Sequence, residues 1–490
     1  MKKFVSVLLF VTILLSMNAC GTSNEAATET AAETVGETAV TETETEVIRD
    51  DLGEYDFGGA SFDMYTRYTN MFYPSMEVTE STGEVLSDAV YNRNRKLEER
   101  FNFVFQELAY TNVKEGNDAP RKLLTAGDDT YEIMVGRYLN MFNFASEGLL
   151  QPTTKLPNID VSKPYWSAEM YENLSICGKH FFVTGSYNLS AYDFTHTLLF
   201  NKDMAKDNSL GDLYEIVNAG DWTYDLFRQM CETVLQDVDG DGVMGETDIY
   251  GYAARPAAVM PAFWVGADVQ PVTRDADKAL VFAALENEKF FDVCTKVFDM
   301  TWNNGAWNNC YVGLKGADGD NKPAECFRAG GALFMDAKLY EVTALRDSDI
   351  NFGILPYPKY DTAQKNYLGR MEGCELFGVP MTNTVLEMTG TILEAMASES
   401  RLTVMPAYYD IMLKSKVSRD EESAAMLDLI LENLVFDAAD TLLGGEFRDG
   451  TMNQCFSGNN QDIASALTKS RNTYQNVLDK YSKAFAKLEE

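Results

Sequence analysis

From about residue 54 onward, short apolar runs and amphipathic stretches alternate along this chain. SFDMYT (61–66) predicts a strand, and residues 85–101 carry Val90, Leu97 and Phe101 near one face, the spacing of a helix. FVFQEL (103–108) predicts a second strand, 117–126 a short helix, and YEIMVG (131–136) a third strand. Strand, helix, strand, helix, strand is the order of a parallel sheet with helices packed on its faces. In such sheets ligands bind beyond the carboxyl ends of the strands. That rule nominates Tyr65, Arg67 and Tyr68 after the first strand, and Arg137 and Tyr138 after the third.

A second unit follows. THTLLFNKDM (195–204) starts as a strand and turns at Asn201 and Lys202. Residues 222–236 form an amphipathic helix with Thr223 placed to cap it. GALFM (331–335) and FGILPYP (352–358) are apolar strands, the second ended by prolines. Ile463, Leu467, Tyr474, Leu478, Tyr481, Phe485 and Leu488 recur at three-, four- and seven-residue spacing, which predicts a long C-terminal helix held by packing.

The first fifty residues have another character. Lys2 and Lys3 precede an apolar run from Phe4 to Leu15, too short to span a membrane, and Ala19 then precedes Cys20. This resembles a bacterial lipoprotein signal, 1–19, with Cys20 as the lipidated residue; Met17 stands where leucine is usual. Residues 20–52 are rich in Thr, Glu and Ala and too poor in apolar side chains to offset their ordering entropy. They predict a self-repelling tether reaching on the order of 30 Å. An export signal and an anchor place the folded part on the outer face of a cell membrane, as in a Gram-positive-type bacterium.

At 490 residues the chain exceeds what one hydrophobic core usually serves, so two lobes are expected. Its formal net charge of −34 repels nucleic acid and anionic lipid, which argues against a DNA or RNA partner. Only two histidines, His180 and His196, are available, which narrows the catalytic plans that need an imidazole. Besides Cys20, Cys177, Cys231, Cys294, Cys310, Cys326, Cys374 and Cys455 form an odd set without CxxC spacing, so buried free thiols are expected.

Three segments then carry a family likeness: SYNLSAYDFTHTLLFNKDMAKD (186–207), FRAGGALFMDAKLYEV (327–342) with INFGILPYPKY (350–360), and DAVYNRNRKLEERFNFVFQE (88–107). In order and spacing they resemble the family 1 extracellular solute-binding proteins, the sugar-binding receptors of ABC importers, over nearly all of residues 54–490. The resemblance implies an α/β, two-lobed periplasmic-binding-protein-like fold of type II, each lobe a sheet flanked by helices, the two joined by crossing hinge strands. Residues 53–190 and 370–415 would form one lobe, and 191–369 and 416–490 the other. A carbohydrate, held between the lobes and passed unaltered to a membrane permease, is the implied ligand of a monomeric receptor. By position in the family pattern, Tyr192, Asp193, Asp336 and Lys338 are ligand candidates. The relatives often have a tryptophan where this chain has Ala337, so Trp264, Trp302 and Trp307 are the candidates for stacking on a sugar ring. Trp166 and Trp222 read as structural.

DVDGDGVMGETD (237–248) is the sharpest local motif. Asp237, Asp239 and Asp241 occupy positions one, three and five of an EF-hand-type loop, with Gly242 at the turn, Val243 offering its carbonyl and Asp248 closing it. Alternating carboxylates suit Ca2+. Because a strand follows the loop, a structural clip is expected and not a two-helix switch. An exported glycoside hydrolase is the alternative to a receptor, since its chemistry needs only two carboxylates about 5–10 Å apart. A surface adhesin is a third reading, set against a single globular body without repeats.

Overall fold

The computed structural model describes residues 48–67, 76–110, 113–309, 312, 317–345, 348–413 and 421–489. Cys20, Tyr68 and Cys310 lie outside the described residues, as does nearly all of the expected leader and tether. In chain order the strands are β1 (Ala60–Arg67), β2 (Phe103–Tyr110), β3 (Ile133–Arg137), β4 (Leu150–Gln151), β5 (His196–Asn201), β6 (Tyr250–Ala253), β7 (Val272–Arg274), β8 (Leu280–Phe282), β9 (Ala332–Lys338), β10 (Phe352–Leu355), β11 (Gly369–Arg370), β12 (Glu375–Pro380) and β13 (Leu434–Val435).

The first sheet has the order β2-β1-β3-β12-β4 and the second the order β10-β5-β9-β6. β1 runs parallel to β2 and to β3, as the alternation of strands and helices predicts. β12, contributed some 240 residues later, then lies antiparallel to β3 with Glu375 opposite Arg137, which makes this sheet mixed and not purely parallel. In the second sheet β9 is flanked by antiparallel β5 and parallel β6, with His196 opposite Lys338 and Leu198 opposite Asp336. Two short pairs, β11 with β13 and β7 with β8, complete the pairing among the described residues.

The helices form where apolar positions share a face. In Val85–Phe101, Leu86, Val90, Leu97 and Phe101 are buried, and the helix packs on the long helix Leu386–Leu413. Arg93 is buried with them, donating to Asn94 Oδ1 and to Ser400 Oγ at 3.1 Å. The helix Tyr224–Val234 starts after Thr223 as expected, but the Thr223 side chain makes no capping bond. Its backbone approaches β6 so closely that a Cβ on Gly251 would come within 2.4 Å of Cys231 Cα, so only glycine serves there. Cys177, Cys231, Cys294, Cys326, Cys374 and Cys455 form no disulfide, and all but Cys177 are buried.

Two chain segments cross between the sheets side by side. Val183 bridges to Phe377 and Thr195 to Met371, so the outgoing segment before β5 and the returning segment before β12 are paired at both ends. One apolar cluster runs past them, from Met134 and Tyr138 of the first sheet's flank to Phe200 and Phe334 of the second. Ile48–Glu490 therefore pack as one body built on two sheets.

Asp193, at the end of the short helix Leu189–Asp193 in the outgoing segment, is fully buried. Its Oδ1 accepts from the Tyr408 hydroxyl at 2.9 Å, while Oδ2 has no partner. Desolvation outweighs that bond and pushes the carboxyl up to about 8. Between about 4 and about 8 the folded chain thus holds a proton that the unfolded chain has released, and stability falls as pH rises through that window. Glu132 and Asp437, also raised by burial to about 7, act in the same direction. Urea denaturation at several pH values should give Asp193→Asn a shallower decline of stability from about pH 4 to about pH 8 than the parent chain. Identical slopes would place the Asp193 carboxylate in contact with water.

Candidate ligand site at the junction of the two sheets

The carboxyl ends of strands from both sheets meet at one polar cluster. β3 ends at Arg137 and turns at once into the helix Tyr138–Ser146. β6 is followed by Arg255, and β9 by Tyr340 and Glu341. Glu372, on the returning segment, lies between these ends. It ties the second sheet to the first, because Cys374 two residues on accepts the Tyr138 N–H at 3.1 Å. A Cβ on Gly373 would come within 2.6 Å of the Tyr138 ring, so the residue between them must be small.

The floor of the cluster is buried and lined with polar and ionisable groups. His196 Nδ1 lies 2.9 Å from Asp336 Oδ1 and its Nε2 3.0 Å from Glu372 Oε2, with no exposure at the His196 and Asp336 side chains. Lys338 Nζ donates to Glu372 Oε2 at 2.8 Å. Arg370 makes a two-pronged pair with Asp440, at 2.7 and 3.0 Å, and the Tyr357 hydroxyl donates to Asp336 Oδ1 at 2.5 Å. Burial alone would raise the Glu372 carboxyl. The His196 bond and the Lys338 and Arg370 charges overcome it and hold the group well below the usual range. Asp336 is likewise driven down, to about 2, because His196 and Arg255 outweigh its desolvation. Its Oδ2 is buried without a partner.

Toward solvent the cluster becomes a rim. Glu372 keeps 28% of its side-chain exposure, Glu341 26% and Arg255 19%. Arg255 pairs with Glu341 at 3.1 Å, and Glu341 also accepts the Lys338 N–H at 2.8 Å at the helix start. Arg448 joins Asp440, Asp449 and Glu372. Lys338 Nζ sits over the rings of Phe194 and Tyr340, at 5.7 and 6.0 Å. Arg137 is exposed and lies over the Tyr138 ring at 5.5 Å. Burial raises the Tyr138 phenol against the opposing charges of Arg137 and Arg448. Fixed donors and acceptors of both signs beside a few ring faces suit a hydroxyl-rich guest.

Of the residues nominated from sequence, Asp336 and Lys338 belong to the cluster, Tyr138 packs against the returning segment beside Glu372, and Arg137 lies exposed over the Tyr138 ring. Arg67 ends β1, and its side chain lies outside the described residues. Tyr65 is buried and stacked on Tyr110 at 4.6 Å, so it belongs to the core and not to the cluster. Asp193 is buried away from the cluster with Oδ1 accepting from Tyr408, and Tyr192 faces Tyr408 and a different cavity. The three stacking candidates are corrected by burial. Trp264 packs between Phe290 and Phe447, and Trp307 is buried with its N–H donated to Ala254 O. Trp302 is half-buried and donates to Phe456 O. Arg255, Glu341, Glu372, Arg370, Asp440 and Arg448 were not singled out. The strand-end rule that found Arg137 also points to Arg255, which follows the apolar YGYAA; no local signal marks the other five.

The acidic loop forms a separate feature. Asp237, Asp239 and Asp248 bring ligand oxygens within 4.8 Å of one another, while Asp241 accepts the Val243 N–H at 2.7 Å. Gly240 and Gly242 take left-handed φ of 73° and 82°, as the sharp turn requires. Asp248 is buried and accepts the N–H groups of Gly245 and Val238, which lower its carboxyl. A two-way bridge between Gln236 and Ile249 pins the ends of the loop, and β6 follows directly. The Val243 side chain points out, 67% exposed.

No sequence-family profile and no curated protein matches this chain. Solved structures do. A sugar transporter protein of Rhizobium etli, in an open conformation, is 14% identical over 88% of this chain and 100% of its own, with a TM-score of 0.57. A cyclo/maltodextrin-binding protein complexed with maltotetraose is 12% identical over 90% of this chain and 100% of its own, with a TM-score of 0.55. A family 1 extracellular solute-binding protein of Bifidobacterium longum subsp. infantis is 14% identical over 88% and 100%, with a TM-score of 0.52. Two sheets flanked by helices, joined by paired crossing segments, give this chain the two-lobed fold of the family 1 extracellular solute-binding proteins.

Proposed function

We propose that this protein is the receptor of an ABC importer, taking a carbohydrate at the junction of its two sheets and releasing it unaltered to a membrane permease. One observation carries the reading: strand ends of both sheets converge on Arg137, Tyr138, Arg255, Lys338 and Glu341, around Glu372 of the segment that joins them. A guest bridging these groups gains contacts to both lobes at once, and only such differential contacts can bias a closing equilibrium. The maltotetraose complex of a neighbour with the same fold supports an oligosaccharide as the guest. Two features favour a receptor over a glycoside hydrolase. The neighbours are named as binding and transport proteins. The carboxyls of Glu372 and Asp336 are also held down, whereas a general acid must keep its proton. In this reading Cys20 carries the lipid anchor, the Thr/Glu/Ala segment holds a monomeric receptor above the outer membrane face, and nucleic acid is no partner.

The Asp237, Asp239 and Asp248 carboxylates form a Ca2+ clip in the same proposal, with Asp241 and the Val243 carbonyl closing in on the ion. Its role is structural, since the loop joins a helix to β6 behind Arg255. An affinity of about 10⁻⁴–10⁻³ M suffices outside a cell.

Thermal melting against maltotetraose and other oligosaccharides should show a stabilisation of about 2.7 kcal/mol at a hundredfold the dissociation constant, with the sugar recovered intact. Arg137→Ala, at an exposed position, should weaken that binding about tenfold without changing the melting of the free chain. A flat response to every sugar, or cleaved products, would overturn the reading. Millimolar Ca2+ should raise the melting temperature over that in chelator, and Asp239→Asn should abolish the difference. Coincident curves for the parent chain would remove the clip.

A further inference from the structure

We propose that a second, separate small-molecule site for an uncharged polyhydroxylated compound of one or two rings lies between the loop 164–167, the outgoing crossing segment and the helices Leu386–Leu413 and Glu421–Glu432. These elements enclose a cavity of about 510 Å³, within the range of about 300–1,000 Å³ that small-molecule sites occupy. No residue of the junction cluster lines it. Tyr192 faces this cavity, whereas Phe194, two residues on, faces Lys338 of the cluster.

The walls have the chemistry of a ring-and-hydroxyl binder. Tyr165, Trp166, Tyr192 and Tyr409 supply four aromatic rings to one cavity. The polar edges of the first two are already engaged, since Tyr165 donates to Glu394 Oε1 at 2.6 Å and Trp166 to Glu394 Oε2 at 2.7 Å. This anchoring fixes the base of the cavity, and the half-buried rings of Tyr192 and Tyr409 offer the carbon surface to a guest. Tyr192 bonds Ser186, and Tyr409 bonds Asp428. Arg401 lies within electrostatic reach of both tyrosines. At the mouth, Arg401, Asp428 and Glu432 are exposed, so donors and acceptors of both signs face the opening. Rings of this kind stack on the C–H face of a cyclic polyol, and the charged rim meets its hydroxyls. Buried aromatics at the base, fixed by a buried carboxylate, distinguish this cavity from a surface dent.

The test is equilibrium dialysis of the full chain against labelled maltose, with glucose as a competitor. Two molecules of maltose should bind per chain. Arg401→Ala should weaken one of them about tenfold and leave the other within about twofold. Ser167→Trp, which fills the cavity from a half-buried position, should remove the same one, with a small drop in melting temperature from the lost cap of the helix Ala168–Asn173. Arg137→Ala should weaken only the other. One molecule per chain, weakened by Arg137→Ala and indifferent to Arg401→Ala and Ser167→Trp, overturns the second site and leaves the junction site standing. One molecule, weakened by Arg401→Ala alone, upholds the cavity and removes the junction reading for maltose. Absence of any maltose binding overturns this proposal, and the junction reading falls with it only if longer oligosaccharides also fail to bind.

Discussion

The rest of the structure turns on the Glu372 carboxylate. It sits on a segment returning from one sheet to the other, accepts a hydrogen bond from Lys338 Nζ, and lies against His196. Both partners belong to the second sheet, while the residues just after Glu372 pack on Tyr138 of the first. A charge partly withdrawn from water is costly unless its neighbours answer it, and here they do: Lys338, Arg370 and His196 together outweigh the desolvation. The same logic runs one layer down, where Asp440 is answered by Arg370 and Arg448, and Asp336 by His196 and Arg255. Pairs of this kind are a weak argument for stability, since well-packed apolar groups do as well. Their consequence is geometric. They fix the position of a rim whose outer members, Arg255, Glu341 and Arg137, still meet solvent.

Fixing that rim is what binding a polar guest requires. A hydroxyl-rich molecule leaving water must find a partner for each group it buries, and donors already held in place lose little freedom on meeting it. The apolar cluster alongside, continuous from Met134 to Phe334, supplies the rigidity. Trp264 and Trp307 are buried in that cluster and Trp302 is packed half-buried against it, so the rings beside the junction are those of Phe194, Tyr138 and Tyr340. The charge-rich rim then has a larger share in recognition than a stack of tryptophans would leave to it.

Local order was legible in the sequence because it is set by local periodicity. The strands at 61–66, 103–108 and 131–136 and the helices at 85–101 and 463–485 fall where apolar spacing put them. Arg137 was nominated for a related reason, since a charge ending an apolar strand faces out at its carboxyl end. Lys338, buried as the last residue of β9, was nominated only by its place in the family pattern. Glu372, Arg370, Asp440 and Arg448 were not, because nothing near them in sequence shows that β12 returns to the first sheet beside β3. The tryptophans misled for the opposite reason. With Ala337 where relatives often have a tryptophan, Trp302 and Trp307 were offered as substitutes, yet their N–H groups donate to the backbone of Phe456 and Ala254. Asp193 read as a ligand contact from its place in the crossing segment, and only its partner, Tyr408, some 215 residues away, reveals it as a brace.

The account stands on a guest being clasped by groups from both lobes. Small-angle X-ray scattering of the chain with and without saturating oligosaccharide, followed by mass spectrometry of the released sugar, tests it most directly. The account predicts a more compact particle with sugar bound and an intact sugar on release. An unchanged scattering profile at full occupancy, or a shortened sugar, would contradict it.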